Sequence, residues 1–178
     1  AFAMLCVTFL YQAGCAATPR RLSHPGIARW SGTEWSALGS GVTGSDHAWV
    51  RAMVVYNNSL FVGGAISKAD GASVNSIARW NGTTWSPVES GVDGLVFASA
   101  VYDDALYIGG EFAAAGEVSA RCIARWDSVA WSSLGMSFAS SWPSANALTV
   151  YNDALCVGGT FLMAGNRNTH HIARWSGH

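Results

Sequence analysis

A chain of 178 residues is long enough for one domain with a buried core, and half of it is hydrophobic while only 12% is charged, about half the usual charged share of roughly 25%. A net charge of -1 with no cluster of Lys and Arg excludes nucleic-acid binding by phosphate neutralisation. The 20 glycines and 9 tryptophans suit a turn-rich all-β chain and not a helical bundle, which would want Glu, Lys and Leu.

Residues 1–17 are apolar, uncharged and rich in small side chains, and nothing later repeats them. The run is short for a membrane span of about 20 residues and reads as the end of a secretory signal. With no initiating Met and no basic segment, the chain is expected to begin inside that signal. Gln12-Ala13-Gly14-Cys15 resembles a bacterial lipoprotein signal end, which makes Cys15 a lipidation candidate, although Gln12 stands where Leu is usual. Ordinary cleavage after Ala16 or Ala17 fits about as well, and a buried extra strand or helix is the third alternative. Residues 18–26, with two prolines and Arg20-Arg21, read as a linker. The expected location is therefore secreted or cell-surface, lipid-anchored if Cys15 is modified, with no other membrane segment.

From residue 27 to 178 the chain repeats itself. Ile-Ala-Arg-Trp begins at Ile27, Ile77, Ile123 and Ile172, at intervals of 50, 46 and 49 residues. A second Trp follows five positions after the first in Trp30/Trp35, Trp80/Trp85 and Trp126/Trp131. An apolar run then ends in Val-Tyr, as in Val55-Tyr56, Val101-Tyr102 and Val150-Tyr151. Two Asn or Asp residues come next, and a second apolar run closes on Gly63-Gly64, Gly109-Gly110 or Gly158-Gly159.

Each unit decodes into four strands: a (50–56), b (59–65), c (the Ile-Ala-Arg-Trp segment) and d (35–42 in the earliest copy). Asn and Asp accept positive φ, so the two-residue a–b connections suit tight hairpins, and Ser31-Gly32-Thr33-Glu34 is a second hairpin between c and d. Ala52-Met53-Val54-Val55 hardly alternates, so both faces of the meander need cover. Radial stacking of such sheets is the propeller solution, and a unit of about 50 residues falls in the kelch range.

A glycine pair closing strand b, an aromatic on strand c and a Trp opening strand d resemble the kelch motif, with Trp30, Trp80, Trp126 and Trp175 where kelch repeats usually carry Tyr. Ile-Ala-Arg-Trp-x-Gly-x-x-Trp is similar to kelch-like repeats of large secreted bacterial proteins. The resemblance covers 27–178 and implies an all-β propeller segment of four-stranded antiparallel blades. About three blades are visible, and further blades of the same polypeptide are expected, because propellers have 4 to 8.

The recurrent residues have framework readings. Trp30, Trp35, Trp80, Trp85, Trp126, Trp131 and Trp175 fill the widening space between blades. Arg29, Arg79, Arg125 and Arg174, without a repeated acidic partner, donate to backbone carbonyls or stack on Trp. Gly63, Gly64, Gly109, Gly110, Gly158 and Gly159 let strands b of neighbouring blades approach. Cys122 and Cys156 fall in expected strands and read as free thiols; their spacing does not support a disulfide, and the cysteines match no zinc pattern.

The b–c and d–a connections, 39–49, 66–76, 91–96, 113–121, 136–144 and 162–171, share one end of the stack and read as long variable loops, where binding residues concentrate. Their chemically distinctive residues do not repeat: Asp46, His47, Lys68, Asp70, Glu117, Trp142, Asn166, Arg167 and His170. No catalytic residue, metal site or cofactor is expected, since His47, His170 and His171 are scattered and no nucleophile motif adjoins them. The expected function is a non-catalytic module that binds protein or glycan through this end. The alternatives are a purely structural repeat segment of a larger surface protein, or a fragment of a propeller enzyme whose catalytic residues lie elsewhere.

Overall fold

The computed structural model describes residues 26–45, 48–135 and 138–177. The readings of residues 1–25, Cys15 included, lie outside them. Among the described residues every regular element is a strand, and the chain is all-β and antiparallel throughout.

Two complete meanders are present. The first sheet joins Trp49–Tyr56, Ser59–Ala65, Ile77–Trp80 and Trp85–Pro87 in the order a-b-c-d, and the second joins Leu95–Tyr102, Ala105–Glu111, Ile123–Trp126 and Trp131–Ser133. A third sheet has strands a, b and c, at Ala145–Val150, Leu155–Gly159 and Ile172–Trp175. A c–d hairpin, Arg29–Trp30 with Trp35–Ser36, precedes them all.

Local chemistry sets the turns. Asn57 and Asn58, Asp103 and Asp104, and Asn152 and Asp153 all hold φ between 45° and 55°, as primed hairpin turns require. In the c–d turns the residue after Ile-Ala-Arg-Trp folds back on the chain: Asn81 Oδ1 accepts the amides of Thr83 and Thr84, both at 2.9 Å, and Asp127 Oδ1 those of Val129 and Ala130, both at 3.0 Å. Such side-chain bonds nucleate a turn in place of a longer strand.

Strand d is shorter than expected. A turn closed by the Gly41 amide on the Leu38 carbonyl (3.1 Å) ends it before Val42. Val42–Thr43 instead pairs with Lys68–Ala69, which pairs with Ala72–Ser73. The same small sheet recurs as Phe138–Ala139, Met163–Ala164 and Arg167–Asn168. In the second unit it is reduced to a bridge from Val92 to the Ala114–Ala115 and Val118–Ser119 hairpin. The b–c connections are therefore repeated hairpins, and the expectation of irregular loops is corrected. Buried Ile66, Phe112 and Phe161 anchor them, each accepting with its carbonyl from the amide of Ser76, Cys122 or His171. Cys122 consequently sits in a left-handed turn (φ 65°) just before strand c and not within it.

The sheets stack face to face in chain order. Each junction is one apolar cluster: Val50, Val62 and Trp85 on the N-terminal hairpin, Phe61 and Ile77 against Leu106 and Trp131, then Tyr107 and Ile123 against Leu155 and Phe161. Strand a lies against strand a of the next sheet at both junctions between meanders, whereas the d strands of the two complete meanders make no comparably close approach. The Trp pairs have ring centroids 5.0–5.3 Å apart; Trp80/Trp85 and Trp126/Trp131 pack against the preceding element, whereas Trp35 is exposed, and Trp85 Nε1 donates to the Leu38 carbonyl at 2.8 Å. Tyr56 and Tyr102 each donate a hydroxyl to the next sheet's a–b turn, at the carbonyls of Asp104 (2.9 Å) and Asp153 (3.0 Å).

The glycine pairs admit strand a, not strand b. A Cβ on Gly63 would overlap Val96 of the next sheet, and one on Gly109 would lie 3.0 Å from Ala145 Cβ. The second glycine of each pair faces its own sheet's strand a, where Gly64, Gly110 and Gly159 leave room for the carbonyls of Trp49, Leu95 and Ser144. Those carbonyls adjoin a β-bulge at Arg51, Phe97 and Asn146, which re-aims the strand.

The arginines are exposed or half-buried rather than core groups. Arg174 donates to the Asn152 carbonyl (3.1 Å), Arg79 Nε to Ser59 Oγ (3.0 Å) and Arg125 to the Asp127 carboxylate (3.5 Å). None stacks on a repeated Trp; among the described residues the guanidinium lying over rings is Arg51, at 5.4 Å from Trp49 and 4.9 Å from Phe97.

Overpacking a filled junction costs about 1–3 kcal/mol. Gly63→Ala is expected to lose that much in chemical denaturation. Gly158→Ala, whose Cβ would meet nothing nearer than Ala147 Cβ at 3.8 Å, is expected to leave stability of the 178-residue chain within about 0.5 kcal/mol.

Candidate functional site: the loop end

The small sheets and d–a connections gather at one end of the stack. Asp70, Glu117 and Asn166 occupy the two-residue turns of the three successive hairpins, so the hairpin, and not a free loop, places each of them. Lys68 and Arg167 are exposed on hairpin strands. Trp142 is 81% exposed, and its carbonyl accepts from Thr160 Oγ1 at 2.9 Å. His170 is exposed with φ 44°, in the turn that leads into strand c. Asp46 and His47 lie outside the described residues.

These residues do not converge. Asp70 is also a framework group: Oδ1 accepts the Ser40 hydroxyl at 2.7 Å and the Ser40 amide, tying the hairpin to the d–a turn. Those bonds hold its carboxyl below the ordinary 3.8, because they favour the charged form.

Among the described residues, a groove of about 510 Å³ lies at this end between the first and second units. Ser67, Asn75, Ser90 and Asp93 line it, over buried Val74 and Val92. It opens here because the connection from Trp85 to Leu95 is shorter than those from Trp35 to Trp49 and from Trp131 to Ser144. Asp93 Oδ1 accepts the amides of Ala113 (2.8 Å) and Ala114 (2.9 Å), and Asn75 Nδ2 donates to the Ser90 carbonyl at 2.6 Å. That leaves Asp93 Oδ2 and Asn75 Oδ1 without partners among the described residues. No Lys or Arg lines the groove. Sequence reasoning missed Asn75 and Asp93; the signal visible in the sequence is the contraction of the connection between Trp85 and Leu95.

Among the described residues no three His, Cys, Asp or Glu side chains gather to hold a metal. Cys122 is a buried free thiol that donates to the Pro143 carbonyl at 3.1 Å, and burial pushes its pKa up to about 11. Cys156 is free and half-buried, at the position that Phe61 and Tyr107 fill in the other sheets.

Two predictions follow from these groups. Because the folded pKa of Asp70 is depressed, its contribution is present above about pH 3.8 and lost as pH falls through the lower folded value. The melting temperature of Asp70→Asn is therefore expected below wild type at pH 7, with the gap closing under acid. Iodoacetamide at pH 8 is expected to label Cys156 well before Cys122, as read by peptide mass spectrometry, since only the thiolate reacts. The sequence matches no protein-family model and no curated protein.

Proposed function

We propose that the stacked sheets are consecutive blades of a kelch-like β-propeller in a secreted or cell-surface protein, and that the module binds protein or glycan at its loop end without catalysing a reaction. The fanned stack supports the first half: strands a pack against one another, as blades around an axis would, while the d strands of the two complete meanders make no comparably close approach.

The observation that carries the binding role is the groove between the first and second units. Its free groups are one carboxylate oxygen and one amide oxygen, both acceptors, with serine hydroxyls beside them. Hydroxyl groups of a sugar or N–H groups of a peptide satisfy such acceptors; an anionic ligand does not.

The purely structural reading draws on the exposed face of the third sheet, which it shares with the binding reading. Tyr151 and Ile172 are 65% and 67% exposed, whereas their counterparts Tyr56, Ile77 and Ile123 are 5%, 1% and 1% exposed. An apolar sheet face of this kind suits a further blade of the same polypeptide, which both readings require.

Glycan and extracellular-protein arrays probed with the wild type and with Ser90→Trp separate the two readings. Ser90 is exposed at the groove and only its carbonyl serves the framework. Binding by the wild type is expected, with at least about tenfold loss in Ser90→Trp at an unchanged melting temperature. Silence of the wild type on both arrays, or full binding by the variant, removes the groove as the binding site.

A further inference from the structure

A second concavity lies between the first and second sheets, toward their outer strands. It has a volume of about 240 Å³, with Phe61 and Trp126 as its apolar floor and Asn57, Arg79, Glu89 and Ser128 around it. Two of these residues stand where the repeat elsewhere has glycine in a left-handed backbone. Glu89 has φ 50° at the position of Gly39 and Gly135 (59° and 67°), and Ser128 has φ 84° at the position of Gly32 and Gly82 (106° and 105°). A side chain is disfavoured in that region, and residues kept there gather at functional sites.

The framework accounts for Ser128. Its hydroxyl accepts from Asn57 Nδ2 at 2.7 Å and donates to Tyr56 Oη at 3.0 Å, linking the two sheets. The framework does not account for Glu89. Its carboxylate has no hydrogen-bond or ion-pair partner among the described residues, and Arg79 lines the same cavity without pairing to it. Arg79 spends only Nε, on Ser59 Oγ, which leaves both terminal guanidinium nitrogens free to donate.

An unpaired donor and an unpaired acceptor, of opposite charge, thus flank one aromatic floor. Their charges cancel, so a simple ion gains nothing. Vicinal hydroxyls can accept from a guanidinium and donate to a carboxylate, while the C–H face of a sugar ring rests on aromatic carbon. The volume is under the roughly 300 Å³ at which clefts begin to take drug-sized molecules, so the occupant is one ring. We propose that this cavity binds a single hexose-sized sugar, Arg79 donating to it and Glu89 accepting from it. No residue lines both this cavity and the loop-end groove, although one Glu89 carboxylate oxygen lies near Gly116 and Ser90 at the groove's edge; the assignment does not rest on that groove's function.

Calorimetry and saturation-transfer NMR on the 178-residue chain, with free hexoses, N-acetylhexosamines and amino acids as probes, test the assignment. At least one hexose or N-acetylhexosamine is expected to bind. Glu89→Gly restores the repeat's glycine and is expected to raise the melting temperature while weakening that sugar by about tenfold or more, the range for a lost hydrogen bond to a charged group. Arg79→Gln is expected to weaken it similarly, and serves as the second reading should Glu89→Gly fold poorly. No binding by any sugar, binding of amino acids in their place, or full sugar affinity in both variants would overturn the proposal.

Discussion

Neither complete meander can stand alone, because each is apolar on both faces. Val50 and Val62 point one way from the first sheet, and Phe61 and Ile77 the other, and all four are buried only because a neighbour lies on each side. Hydrophobic burial is non-directional, so it explains association and not the particular fit. The fit comes from two absent side chains. Gly63 and Gly109 open a slot in strand b, and Val96 and Ala145 of the following strand a occupy it. Close approach on that side, with bulky Trp pairs at the other, turns stacked layers into a fan.

Much of this was legible because the repeat displays its own constraints. Ser59–Ala65 matches the expected strand b, and the paired Asn and Asp residues marked the a–b turns, since few residues other than glycine accept positive φ. The small sheets at the loop end were not legible. Strands of two residues, such as Lys68–Ala69 and Ala72–Ser73, are too short to show a period of two, and tertiary pairing to Val42–Thr43 creates them. The bulges were equally hidden, for Arg51, Phe97 and Asn146 share no side-chain type.

The candidate sites illustrate a different limit. Lys68, Asp70, Glu117 and Asn166 attract notice because they carry charge or polarity in variable segments, yet they are spread over three successive hairpins, with Lys68 and Asp70 on the first. Concavities arise where a unit departs from its siblings: at a contracted connection for Asn75 and Asp93, and at lost glycines for Glu89 and Ser128. Those departures are visible by laying the units over one another, but their meaning depends on which side chains then face each other across a junction.

The tyrosine at the end of strand a gives the stack a direction. Tyr56 and Tyr102 each donate a hydrogen bond to the a–b turn of the following sheet, not to one before them. Tyr151 of the third sheet is the corresponding donor and is exposed, and the Asn57-Asn58 turn of the first sheet is the corresponding acceptor, with no tyrosine hydroxyl on it among the described residues. Growth by added units can proceed in a single orientation, head to tail, and a unit presented back to front would bring two like surfaces together with their hydrogen-bonding groups unmatched.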